Sequence, residues 1–175
     1  HTRSYAVTGV QTCALPILLA GFLHAASVRG SIELSNSRDA NVTRKRDYSG
    51  VVVWLVPADG KDAAAPRKPQ PATMAQKDKR FVPHILAVEV GASVSFPNYD
   101  PIFHNAFSNY DGRVFDLGLY APGTTRKVTF DRPGVVRVFC NIHSSMTAVI
   151  VVAPSPWFAA TSSKGAFALD RKSVV

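Results

Sequence analysis

The stretch Val135–Val152 reads VVRVFCNIHSSMTAVIVV, and it divides into strand, loop and strand. Val136, Val138 and Cys140 alternate onto one face, the period-two pattern of a half-buried strand. Met146–Val152 is a dense β-branched run and reads as a second strand. Between the two, Cys140, His143 and Met146 stand at steps of three on the connecting loop. A thiolate, an imidazole and a thioether so close together form a soft donor set of the kind that selects copper. Taken singly, Cys140 would be an ordinary small core residue and Met146 an ordinary core filler. Their common spacing makes them candidate ligands.

Upstream, Phe81–Ser108 reads FVPHILAVEVGASVSFPNYDPIFHNAFS. Phe81–Val90 alternates, with Leu86, Val88 and Val90 on one face, and Gly91 breaks it. Ser93–Phe96 is a further strand, and Pro97-Asn98 a turn. His104 follows that turn, 36 residues before Cys140. One Cys and two His with a weak axial Met are the donors of a mononuclear blue-copper site. His104, Cys140, His143 and Met146 are therefore the candidate metal ligands. His84 shares the parity of Leu86 and Val88 and reads as structural.

Three more strands are expected at Ser31–Leu34, Gly50–Val56 and Arg126–Phe130, the last ended by the turn Asp131-Arg132-Pro133-Gly134. Ala58–Gln76 reads as loop, Asn109–Leu119 holds at most a short turn, and no helix is expected. Many short strands with turns every 8–12 residues predict an all-β chain, a Greek-key β-sandwich or barrel.

The 175 residues suit one domain or little more, and 46% hydrophobic with 18% charged residues is globular rather than disordered. The net charge of +8 favours acidic partners or anionic surfaces without implying nucleic acid. No apolar run reaches the about 18 residues of a stable membrane span. Arg38–Arg80 carries ten Lys/Arg against five Asp/Glu, read as a solvated face with a docking patch for an acidic redox partner as the alternative. Leu18–Ser27 (LLAGFLHAAS) reads as the end of a secretory signal peptide, which predicts a periplasmic or extracellular protein.

Both ends read as foreign to this pattern. Val7–Ile17 (VTGVQTCALPI) and Asp170–Val175 (DRKSVV) resemble in-frame translations of the two adapters used in short-read sequencing. Removing residues 1–17 and 170–175 lowers the net charge by two and leaves Cys140 as the single native cysteine, so a Cys13–Cys140 disulfide is not expected. The expected organisation is 1–17 adapter-derived, 18–27 the end of the leader, 28–153 the sandwich with a basic loop over 58–80, 154–169 the start of a truncated further β domain, and 170–175 adapter-derived.

From Arg80 to Val152 the sequence resembles the cupredoxins, the type 1 blue copper family. Within it, the two-residue spacers of CNIHSSM are most similar to those of amicyanin. The FVPHILAVEVGASVSFPNYDPIFHNAFS stretch is similar to plastocyanin-like proteins labelled methylamine-utilisation proteins. The resemblance implies one copper ion held by His104, Cys140, His143 and Met146. It also implies that Asn105 sits behind the ligands and bonds across to the ligand loop. It further implies a carrier of single electrons, not an enzyme, serving a c-type cytochrome or a quinone-dependent dehydrogenase by transient docking. The alternatives are a periplasmic copper-binding carrier module and the type 1 copper domain of a larger oxidoreductase. Two methionines in the chain are too few for the usual Met-rich carrier, and Cys140 is flanked by Phe139 and Asn141 rather than by histidines. A cysteine nucleophile is disfavoured because no glycine-rich oxyanion loop accompanies Cys140.

Overall fold

The computed structural model describes residues 27–57, 68–109 and 113–169. The expected leader to position 26, the two adapter-like ends and residues 58–67 of the basic loop lie outside the described residues. In chain order the elements are β1 (Val28–Ser31), α1 (Ala40–Lys45), β2 (Val52–Trp54), β3 (Ala72–Thr73), β4 (Ala75–Lys77), β5 (Arg80–Val82), β6 (Ile85–Glu89) and β7 (Ala92–Pro97). Then follow β8 (Phe107–Ser108), β9 (Phe115–Asp116), β10 (Thr125–Phe130), β11 (Gly134–Phe139), β12 (Thr147–Ala153), β13 (Phe158–Ala160) and β14 (Ala166–Leu169).

The all-β sandwich expected from the pattern is the fold observed. One sheet runs β10-β7-β3 and the other β6-β12-β11-β8-β9. Alternation sets the facing sides. Val136 and Val138 of β11, with Ala148, Ile150 and Val152 of β12, point inward against Val94, Phe96, Val128 and Phe130 of the opposite sheet. Phe96, Phe130 and Ile150 are fully buried. Each such side chain stabilises the fold by about 1.5–3 kcal/mol relative to exposure.

Three local expectations are corrected. The run Phe81–Val90 is not one strand: Pro83 lacks an N–H and divides it, so that β5 pairs with β4 while β6 pairs in parallel with β12. The segment read as loop to Gln76 contributes β3, which adds to the edge of β7 and sends the fully buried Met74 into the core. A helix does form, over six residues of which none is buried. Asp39 caps its start by accepting from the Asn41 N–H at 2.6 Å, Arg44 and Lys45 suit its last turn, and left-handed Arg46 ends it.

The chain on either side of the sandwich pairs with itself. β14, in the segment expected to open a further domain, is antiparallel to β1, and β13 is antiparallel to β2. Further bonds from Tyr48 N–H to Ser163 O and from Gly50 N–H to Thr161 O continue that seam.

Candidate metal centre

β11 and β12 form an antiparallel hairpin whose last pair is Phe139 with Thr147. The seven residues between them form the loop that carries the candidate ligands Cys140, His143 and Met146. Two backbone bonds close it: Cys140 N–H to Met146 O at 3.2 Å, and Met146 N–H to His143 O at 2.9 Å. Cys140, the first residue past β11, keeps the inward parity of Val136 and Val138 and is 4% exposed. Met146 is buried just before β12, and His143 at the crest is half-buried.

His104 reaches the same place from the connection between β7 and β8. Its main chain is clamped to Tyr120 by a reciprocal pair of bonds, His104 N–H to Tyr120 O at 3.2 Å and Tyr120 N–H to His104 O at 2.9 Å. The imidazole is fully buried. Its Nδ1 lies 3.9 Å from Cys140 Sγ, and His143 Nδ1 lies 4.0 Å from the same sulfur. All three donor atoms lie within 4.8 Å of one another. The two rings meet edge to face with centroids 5.0 Å apart.

These distances fit a shared metal. A metal about 2.3 Å from sulfur and about 2.0–2.1 Å from nitrogen, with about 120° between the bonds, leaves the two ligand atoms about 3.8 Å apart. The donor chemistry, one thiol and two imidazoles turned Nδ1-first toward it, agrees.

Behind His104 stands a residue the sequence reading passed over. Asp100 Oδ2 is 2.7 Å from His104 Nε2, on the far side of the ring from the sulfur. Asp100 is itself held by the N–H groups of Asp78 (to Oδ1, 2.6 Å) and Lys79 (to Oδ2, 2.9 Å). Burial by itself would raise this carboxyl, but the bonds from Lys79, His104 and Asp78 outweigh it and hold it below the usual carboxylate range. Asn98, also buried, accepts from the Asp100 N–H at 3.0 Å and donates to Ile102 O and Tyr120 O at 2.8 and 3.3 Å. The available signal was an acidic residue four positions before His104, which the sequence reading did not single out.

Asn105 is fully buried beside His104, yet its amide donates to Asp116 Oδ1 at 2.7 Å and not to the ligand loop. Its Oδ1 has no hydrogen-bond partner among the described residues. His84 lies apart from the trio, exposed, with Nδ1 2.9 Å from Thr147 O. Tyr120 OH accepts from Gln76 Nε2 at 2.5 Å and donates to Phe96 O at 3.1 Å. Burial pushes this phenol well above its ordinary range. Around the site Tyr99, Ile102 and Phe103 of the His104 loop and Ile142 of the ligand loop remain exposed. Among the described residues, no helix is long and apolar enough to cross a membrane.

No protein-family description matches the chain. Methylamine utilization protein MauL of Methylorubrum extorquens is 41% identical over 59 residues, 33% of this chain and 52% of that protein. The chain thus spans about half the length of this relative. Among solved structures, the Cu-containing nitrite reductase NirK of Thermus scotoductus is 28% identical over 58% of this chain and 27% of that chain, with a TM-score of 0.47. A purple cupredoxin of Nitrosopumilus maritimus is 22% identical over 47% of this chain and 99% of that one, at a TM-score of 0.42. A reduced amicyanin carrying one tryptophan-to-tyrosine substitution is 19% identical over 46% of this chain and 80% of that one, at 0.44.

Proposed function

We propose that this cupredoxin-like chain is an exported carrier of single electrons, working through one copper ion held by His104, Cys140, His143 and Met146. The observation that carries the reading is the convergence of His104 Nδ1, Cys140 Sγ and His143 Nδ1 from two distant stretches of chain. The match to MauL, a protein named for methylamine utilization, supports a place in methylamine utilization.

Bound copper would supply a one-electron couple between Cu(II) and Cu(I). The chain's own residues do the rest. Cys140 offers a thiolate, the two histidines offer neutral imidazole nitrogens, and Met146 offers a weak fourth donor that disfavours the oxidised ion. The backbone bonds of the ligand loop and the clamp on His104 fix these donors before any electron arrives, so little rearranges when it does. Full burial of His104 and near-full burial of Cys140 keep water from the inner donors. Half-buried His143 gives the shortest way out, and exposed Ile142, Ile102 and Phe103 offer apolar contact to a docking redox protein. Such encounters bury little area and dissociate readily. A c-type cytochrome or a quinone-dependent dehydrogenase in the periplasm is the partner class this reading takes.

The test is reconstitution with Cu(II). An intense blue absorption at one equivalent, absent in Cys140→Ser, is expected. A colourless Cu(II) form of the wild type, or a colour unchanged in Cys140→Ser, overturns the proposal.

A further inference from the structure

Resting on the copper reading above, we propose that Asp100 is the positioning residue of His104, and that the β4–β5 hairpin turn is the part of the fold that holds Asp100 in that role. The chain of contacts runs without a gap. Lys77 pairs with Arg80, which leaves Asp78 and Lys79 as a two-residue hairpin loop. Both sit at φ 55°, the left-handed conformation that such loops require. Neither is glycine, so the turn is locally disfavoured and persists because its surroundings fix it. What it achieves is to aim two consecutive N–H groups at one carboxylate. A third N–H, that of Asp100 itself, is fixed on Asn98.

The carboxylate then decides what the imidazole can do. A neutral histidine carries its proton on one nitrogen, and the other is free to bind metal. Asp100 Oδ2, already accepting from Lys79, can only accept from His104 Nε2. The proton of His104 is thereby placed on Nε2, and Nδ1 is left as a bare donor facing Cys140. A carboxylate bonded to a ligand imidazole also raises the basicity of that ligand.

Asparagine cannot substitute, although it has nearly the same shape. Asp78 N–H needs an acceptor on one side of the side chain, while Lys79 N–H and His104 Nε2 need one on the other. An amide has a single oxygen. With the oxygen toward Lys79, its NH2 meets the Asp78 N–H, donor against donor. With the oxygen toward Asp78, its NH2 faces Nε2 and favours the Nδ1–H form, which blocks the metal-binding nitrogen.

The experiment reads the ring directly. In the metal-free, 15N-labelled protein at a pH where imidazole is neutral, side-chain 15N–1H correlations should show wild-type His104 as the pure Nε2–H tautomer. Asp100→Asn should populate the Nδ1–H form and weaken Cu(II) binding about 10–100-fold. If wild-type His104 is Nδ1–H, or if folded Asp100→Asn keeps both the pure Nε2–H form and the wild-type Cu(II) affinity, the proposal is wrong. The wild-type measurement decides even where the variant does not fold. A wild type that shows the expected tautomer and takes no copper would overturn the copper reading and leave this one standing.

Discussion

Cys140 Sγ lies 3.9 Å from Nδ1 of His104, a residue 36 positions earlier on the connection from β7 to β8. Among the described residues, the side chains within hydrogen-bonding reach of the thiol are the two imidazoles, at 3.9 and 4.0 Å, too long for a strong bond. Those contacts therefore add little to the fold, and Cys140 serves it chiefly as a small buried core residue. Cys140→Ala should change the stability of the metal-free protein by no more than about 1 kcal/mol, the ordinary size of a point substitution, while abolishing tight copper binding. Denaturant unfolding and copper titration on the same variant check the two halves.

Tyr120 ties the β10-β7-β3 sheet to the site, bonding Phe96 of β7 through its hydroxyl and His104 through its main chain. Tyr120→Phe removes the 2.5 Å acceptor of the buried Gln76 N–H, leaving that amide only a 3.5 Å contact to Asn105 O, and removes a donor to Phe96 O. The expected cost at neutral pH is about 1–3 kcal/mol. The phenol's raised folded value adds a pH signature. Its contribution is full below the unfolded tyrosine value of about 10 and is lost as pH climbs beyond it, because only the unfolded chain then ionises. Unfolding measured at neutral and at alkaline pH should show the gap between wild type and variant narrowing in alkali.

At the acid end the sign reverses. The Asp100 carboxyl is held low in the fold by Lys79, His104 and Asp78, against the opposing effect of burial. Its contribution is present above the unfolded aspartate value of about 3.9 and disappears as pH falls through the lower folded value. Wild type should therefore lose its stability advantage over Asp100→Asn as the solution is acidified below about pH 4. Urea midpoints taken across that range report it, and an advantage that grows in acid contradicts it.

In the core, Ile150 is fully buried on β12 and packs among Val136, Val138 and the opposite sheet. Ile150→Val should cost about 0.5–1.5 kcal/mol and Ile150→Ala about 2–5 kcal/mol. Thermal or chemical unfolding of the pair measures this.

What could be read from the sequence was whatever repeats at short range. The alternation of Val136, Val138 and Cys140 gives β11 and its inward face, and the β-branched run gives β12. The steps of three in Cys140, His143 and Met146 mark the ligand loop, and His104 follows from its place after a strand and turn. Features fixed by pairing at a distance were hidden. β3 is only Ala72 and Thr73, directly after Pro71, and the open edge of β7 is what makes it a strand. α1 has no buried residue and so no apolar stripe to betray it. Val28 opposite Leu169 and Trp54 opposite Phe158 leave no local trace at all. Asp100 was missed for the same reason: the N–H groups that define its role come from Asp78 and Lys79, a hairpin away.

X-ray absorption at the copper edge of the reconstituted protein tests the metal centre most directly. One sulfur at about 2.3 Å or less with two nitrogens at about 2.0–2.1 Å is the expected inner set, and its sulfur should vanish in Cys140→Ser. A spectrum of nitrogen and oxygen neighbours alone in the wild type would contradict it.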